Sequence, residues 1–81
     1  MAKKEVVIPR LGSSDESEEV KVVRWIKQVG EQVEKGDALL EVETDKVNVE
    51  IESPESGLLE EIRVQEGEII TFNSVAAIIS S

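Results

Sequence analysis

The one stretch whose residue types and spacing suggest chemistry is LEVETDKVNVEIESP, Leu40 to Pro54, where Lys46 stands alone between two runs that alternate apolar and acidic residues. The chain of 81 residues has no Cys and no His, so it has no thiolate nucleophile, no imidazole base and no Cys/His set for zinc. A lysine attacks well only when desolvation or a neighbouring cation lowers its pKa. Lys46, expected to be exposed and flanked by Asp45 and Glu43, lacks that desolvation. Such an amine is a poor catalyst; it suits being modified by another enzyme. The plainer alternative is an ordinary surface lysine, which most lysines are.

Two strands must position it. Leu40, Val42 and Thr44 share one face of the first run, and Val47, Val49 and Ile51 share one face of the second, so apolar parity flips between Thr44 and Val47. A two-residue turn at Asp45-Lys46 explains the flip, because the residues flanking such a turn pair directly and face the same side. The predicted pairs are Thr44 with Val47, Val42 with Val49, and Leu40 with Ile51, with Asp45 and Lys46 in solvent at the tip. Asp-Lys is a poor dipeptide for a tight hairpin, where Gly or Asn is favoured. The same register sets Glu41 opposite Glu50, a like-charged pair. Something besides stability has shaped this hairpin.

Short Val- and Ile-rich runs recur through the chain: EVVIP, VKVVRWI, ALLEVET, VNVEIES, LLEEIRV, EIITF and VAAII, separated by Gly, Pro, Asn and Ser. They predict a single all-β domain, a sandwich or flattened barrel, with no amphipathic helix. A shift of 37 positions lays Gly30-Glu31 on Gly67-Glu68, Val33 on Ile70, Gly36 on Asn73 and Val42 on Ile79. Two copies of one unit, near 5–43 and 44–81, would each expose an apolar face and would pack on each other. Residues 12–19, GSSDESEE, read as an acidic surface loop. That loop lacks the ligand spacing of an EF-hand, so no metal is expected.

The formal charge is −9, from 18 acids against 9 bases, which argues against nucleic acid or an anionic membrane as partner and favours a basic protein surface. No stretch is long and apolar enough to cross a bilayer as a helix. A soluble protein is expected, bacterial cytoplasmic by default, with the mitochondrial matrix as the other setting. Trp25 and Phe72 read as sheet-packing residues, and Arg10, Arg24 and Arg63 as partners of local acids, since no Gly-rich phosphate cradle accompanies them.

The run VEKGDALLEVETDKVNVEIESPESGLLEEIRVQEGE, with VVRWIKQVGE before it, closely resembles the lipoyl domains of the acyltransferase (E2) components of 2-oxo acid dehydrogenase complexes. The resemblance covers about Glu5 to Ile79, and it implies that a linker begins at Ser80-Ser81. It implies a flattened β-barrel of two four-stranded antiparallel sheets related by a pseudo-twofold axis, and a carrier in place of a catalyst. Lys46 matches the lysine that bears lipoic acid in amide linkage; Glu43, Asp45 and Val47 match its usual flanks, and Gly30 and Gly57 fall on recurrent turn glycines. The implied partners are a thiamine-diphosphate decarboxylase (E1), the acyltransferase core, dihydrolipoyl dehydrogenase (E3), and a lipoate ligase or lipoyltransferase, with the isolated domain monomeric. The loop before Trp25 is about two residues longer than the family pattern and lacks its Gly, so Ser13, Ser14, Asp15 and Glu16 are expected to bear on the choice of decarboxylase. The sister family of biotin carriers shares the fold but sets its lysine between methionines; here the only methionine is Met1. Lipoyl carrier is therefore the leading expectation, biotin carrier the second, and an unmodified β-barrel interaction module the third.

Overall fold

β-Branched residues alternate with charged ones along most of the chain, and that alternation buries one face of each strand. Residues Glu19 to Val22 show the pattern, with Val20 and Val22 buried and Glu19 and Lys21 exposed. The computed structural model describes residues 2–9, 19–44 and 47–81. Among these it forms eight strands and no helix: β1 (Lys3–Val7), β2 (Glu19–Trp25), β3 (Gln32–Val33), β4 (Ala38–Glu43), β5 (Asn48–Glu52), β6 (Gly57–Ile62), β7 (Ile69–Thr71) and β8 (Val75–Ser80). They make two four-stranded antiparallel sheets, ordered β1-β8-β6-β3 and β5-β4-β2-β7, as expected for the flattened barrel. Ile8, Leu39, Leu40, Leu59 and Ile79, with Val6, Val20, Val22, Val33 and Val42, are fully buried in the core they share. Trp25 and Phe72 pack partly buried against that core, and the indole N–H donates to the Val64 carbonyl at 2.8 Å.

Strand β3 was not among the sequence runs, because two residues are too few to show alternation. Glu19 opens β2 and so lies outside the expected loop, whose remaining residues 12–18 fall outside the described residues. Ser80 belongs to β8, paired with both Lys3 and Leu58, and so is part of the sheet instead of a linker.

The 37-residue repeat governs the backbone hydrogen bonds. Gly30 N–H donates to the Leu59 carbonyl and Gly67 N–H to the Val22 carbonyl; Val22 N–H donates to the Glu68 carbonyl and Leu59 N–H to the Glu31 carbonyl. Each bond is the other's image with the halves exchanged, which is what a twofold axis between the sheets requires. The bulges obey the same rule. Val23 and Glu60 are unpaired within β2 and β6, and the carbonyls of the bulged Leu39 and Ala76 accept from Ile26 and Arg63, respectively. Gly36 and Asn73 take φ of 95° and 71° at the same position of equivalent turns, so Asn for Gly is physically sound there.

The first strand of each half follows a different register. Ile8 N–H donates to Ser74 and Ser53 N–H to Asp37, equivalent bonds 45 positions apart in Ile8 and Ser53. The sequence carries this as Glu5-Val6-Val7-Ile8-Pro9 against Glu50-Ile51-Glu52-Ser53-Pro54, a match that a search at 37 alone overlooks. Since the register falls from 45 to 37 before Val20, the first half holds eight additional residues between Pro9 and Val20. That excess contains the acidic segment.

Candidate functional site

Strands β4 and β5 pair as Leu40 with Ile51, Glu41 with Glu50, Val42 with Val49 and Glu43 with Asn48, the expected register. Beyond the last pair, Thr44 N–H donates to the Val47 carbonyl at 2.9 Å. The Thr44 hydroxyl adds two bonds, donating to the same carbonyl at 2.8 Å and accepting the Val47 N–H at 3.2 Å. Two residues, Asp45 and Lys46, complete the connection; both lie outside the described residues.

Leu40, Val42 and Ile51 are buried and Val49 is partly so, but Val47 is 57% exposed. The apolar face therefore gives out before the tip. Thr44 and Val47 are joined by backbone and hydroxyl bonds, where the sequence pattern pointed to burial.

The like-charged pair Glu41–Glu50 is in register, yet Glu41 is already engaged. Its Oε1 accepts Arg24 Nε at 2.8 Å and its Oε2 accepts Asn48 Nδ2 at 3.1 Å, with only 20% of the side chain exposed. The Arg24 hydrogen bond first, and the Asn48 bond second, hold the Glu41 carboxyl below its ordinary value of 4.5. A group with a depressed native pKa contributes stability that is present above its unfolded value and is lost as pH falls through the native one. Glu41→Gln is thus expected to lose less thermal stability than the parent between about pH 7 and pH 3, read as unfolding midpoints by circular dichroism. A steeper acid loss in the variant would contradict the arrangement. On the other sheet, Lys3 and Glu60 form a 2.7 Å pair that raises the Lys3 pKa and lowers that of Glu60, and Arg63 pairs with Glu61 at 3.0 Å.

Of the other expected site residues, Glu43 ends β4 exposed, between Asn48 and Lys21. Gly30 is the turn residue anticipated, with φ of 97° and open space around it. Gly57 is not in a turn: it is buried at the start of β6, and a Cβ there would run into the Ser80 carbonyl oxygen. Ser13, Ser14, Asp15, Glu16 and Arg10 fall outside the described residues. The described residues hold no cluster of three or more His, Cys, Asp or Glu side chains arranged to bind a metal.

Sequence reasoning missed the double role of the Thr44 hydroxyl and the Arg24–Glu41–Asn48 chain. The first could have been suspected from a Thr flanking a poor turn dipeptide. The second needs the Val23 bulge, which brings Arg24 opposite Glu41.

Residues 4–79 match the family model Biotin_lipoyl, described as biotin-requiring enzyme. The chain is 43% identical over 93% of its length to the dihydrolipoyllysine-residue succinyltransferase component of the 2-oxoglutarate dehydrogenase complex of Staphylococcus saprophyticus, covering 17% of that protein. It is 41% identical over 94% of its length to the Bacillus subtilis component of the same name, covering 18% of it. It is 43% identical over 91% of its length to the acetyltransferase component of the pyruvate dehydrogenase complex of Corynebacterium glutamicum, covering 11% of it. The chain thus spans less than a fifth of the length of these relatives. Its fold matches the solution structure of the lipoyl domain of the 2-oxoglutarate dehydrogenase complex from Azotobacter vinelandii with a TM-score of 0.74 at 24% identity, over 94% of this chain and 96% of that one. With two pseudo-twofold sheets, a lysine-bearing connection between β4 and β5, and a family model matched almost from end to end, the chain belongs to the biotin/lipoyl domain family.

Proposed function

We propose that the domain is a lipoyl carrier and that Lys46 bears lipoic acid in amide linkage. The observation that carries this reading is the connection itself: one lysine in a two-residue link between Thr44 and Val47, which three hydrogen bonds draw together. Its neighbours are Asp45 and Val47, not the methionines of a biotin carrier.

Amide formation removes the Lys46 charge and takes the domain from −9 to −10. When attached, the dithiolane of the lipoyl group supplies the redox and acyl-transfer chemistry. The chain's own residues do the rest: Thr44 and Val47 close the link, the core of β4 and β5 anchors it, and Glu43 presents a carboxylate beside it. The partners fitting this role are a thiamine-diphosphate decarboxylase, an acyltransferase core and dihydrolipoyl dehydrogenase, with a lipoate ligase or lipoyltransferase to attach the group. Tethering the carrier to these partners would make their encounters effectively intramolecular.

We assign Glu43, Asp45 and Val47 to recognition by these partners, and Ser13, Ser14, Asp15 and Glu16 to the choice of decarboxylase. Support for the latter comes from the strand that follows them: Glu19 opens β2, and Lys21 pairs with Glu43, at the end of the hairpin that leads to Lys46.

Incubation with lipoate ligase, ATP and lipoate is expected to add one lipoyl mass to the domain, and biotin ligase with biotin to add nothing. Lys46→Ala is expected to abolish the lipoyl addition. Undiminished labelling of the Ala variant would overturn the site, and biotinylation would overturn the choice of cofactor.

A further inference from the structure

Strand β5 begins two residues after Lys46, so whatever fixes Asn48 fixes one end of the link that carries the lysine. Asn48 is held by Glu41, which is held in turn by Arg24. One carboxylate therefore ties three adjacent strands, β5, β4 and β2, immediately below the link.

The pseudo-twofold axis supplies an internal control. The counterpart of the Thr44–Val47 closure is Ser81–Ala2, where Ser81 N–H donates to the Ala2 carbonyl at 2.9 Å and the Ser81 hydroxyl to the same oxygen at 3.4 Å. Backbone and hydroxyl closure thus occur in both halves and belong to the fold. The three-strand tie does not. The positions equivalent to Arg24, Glu41 and Asn48 are Glu61, Ile78 and Lys3, among which no carboxylate can bridge the middle strand to both neighbours. Lys3 instead meets Glu60, and Glu61 meets Arg63. Among the described residues the tie occurs in one half alone, at the sheet end that leads to the lysine.

A half-exposed ion pair contributes little to global stability, and Arg24 is 57% exposed. Group transfer, by contrast, is steeply sensitive to small misplacements of the accepting atom. We infer that Arg24, Glu41 and Asn48 are positioning residues for the modification of Lys46, fixing the start of β5, two residues from the acceptor, while the ligase acts. This inference rests on Lys46 being the lipoyl acceptor.

The test uses the intact domain with lipoate ligase, ATP and lipoate, and separately follows hydrogen exchange at the Val47 amide with no ligase present. Asn48→Ala is expected to slow lipoylation about tenfold, chiefly in kcat, with its thermal midpoint little changed. Glu41→Gln, which keeps one acceptor oxygen and puts an amide NH2 donor in place of the other, should behave alike; Arg24→Lys, which keeps the charge and a donor, should recover most of the rate. Val47 amide exchange should quicken in Asn48→Ala. Wild-type rates with unchanged Val47 exchange would overturn the inference, as would a rate loss explained wholly by a lowered midpoint. An unlabelled parent, or a labelled Lys46→Ala, would overturn the acceptor reading, whereas the exchange measurement judges the tie independently of it.

Discussion

Gly57→Val is expected to leave the domain largely unfolded at room temperature. An ideal Cβ at Gly57 would overlap the Ser80 carbonyl oxygen and would lie 3.0 Å from Ile79 Cγ2 and from the Ser80 carbonyl carbon. Two of the three obstacles are backbone atoms of β8, which is held between β1 and β6. Backbone in the interior of a sheet cannot swing aside as a surface side chain can, so β6 must part from β8 or from Val33 on β3. Overpacking of this kind costs about 1–3 kcal/mol when side chains alone must yield, and more when backbone must. Domains near 80 residues sit at the low end of the 5–15 kcal/mol range of total stability, roughly, so such a loss is a large fraction of it. Circular dichroism through a urea titration checks this: the variant should show no native baseline, or a midpoint far below that of the parent. A midpoint equal to the parent's would mean that β6 and β8 do not approach as closely as described.

Leu40→Ala carries the second largest effect. Leu40 is fully buried, lies opposite Ile51 on β5 and Trp25 on β2, and sits at the base of the hairpin. Truncation removes the transfer free energy of the lost atoms and leaves a cavity that two cross-strand neighbours can only partly fill; such changes cost about 2–5 kcal/mol. Denaturant titration should show that loss with an unchanged slope. Modification of Lys46 should decline only with the folded fraction, because the hydrogen bonds that close the link run between Thr44 and Val47 and do not involve Leu40. A cost below about 1 kcal/mol would contradict the burial of Leu40.

The hairpin shows how far the sequence is legible. Parity around Thr44 and Val47 was enough to establish the register of β4 on β5, because a slip of one residue would turn Val49 and Ile51 to the face opposite Leu40 and Val42. Parity could not show that Val47 is exposed, since the alternating pattern runs on past the edge of the core. The repeat was legible at 37 through its turn residues, where a left-handed conformation restricts the choice to Gly or Asn. The 45-residue register of the first strands stayed hidden behind the eight additional residues that precede Val20. Strand β3 escaped because two residues carry no period. Gly57 was visible as a glycine, but its reason is the approach of Ser80 from a strand more than twenty residues away, which no local pattern records. The Arg24–Glu41–Asn48 tie depends on a bulge and three strand pairings at once, and so becomes readable only in three dimensions.

The decisive measurement is sequencing by mass of the peptide spanning Thr44 to Val47 from protein made in its native host. A lipoyl group in amide linkage on Lys46 is the predicted result; biotin on Lys46, a lipoyl group on another lysine, or an unmodified Lys46 in a host that lipoylates its other carriers would contradict the account.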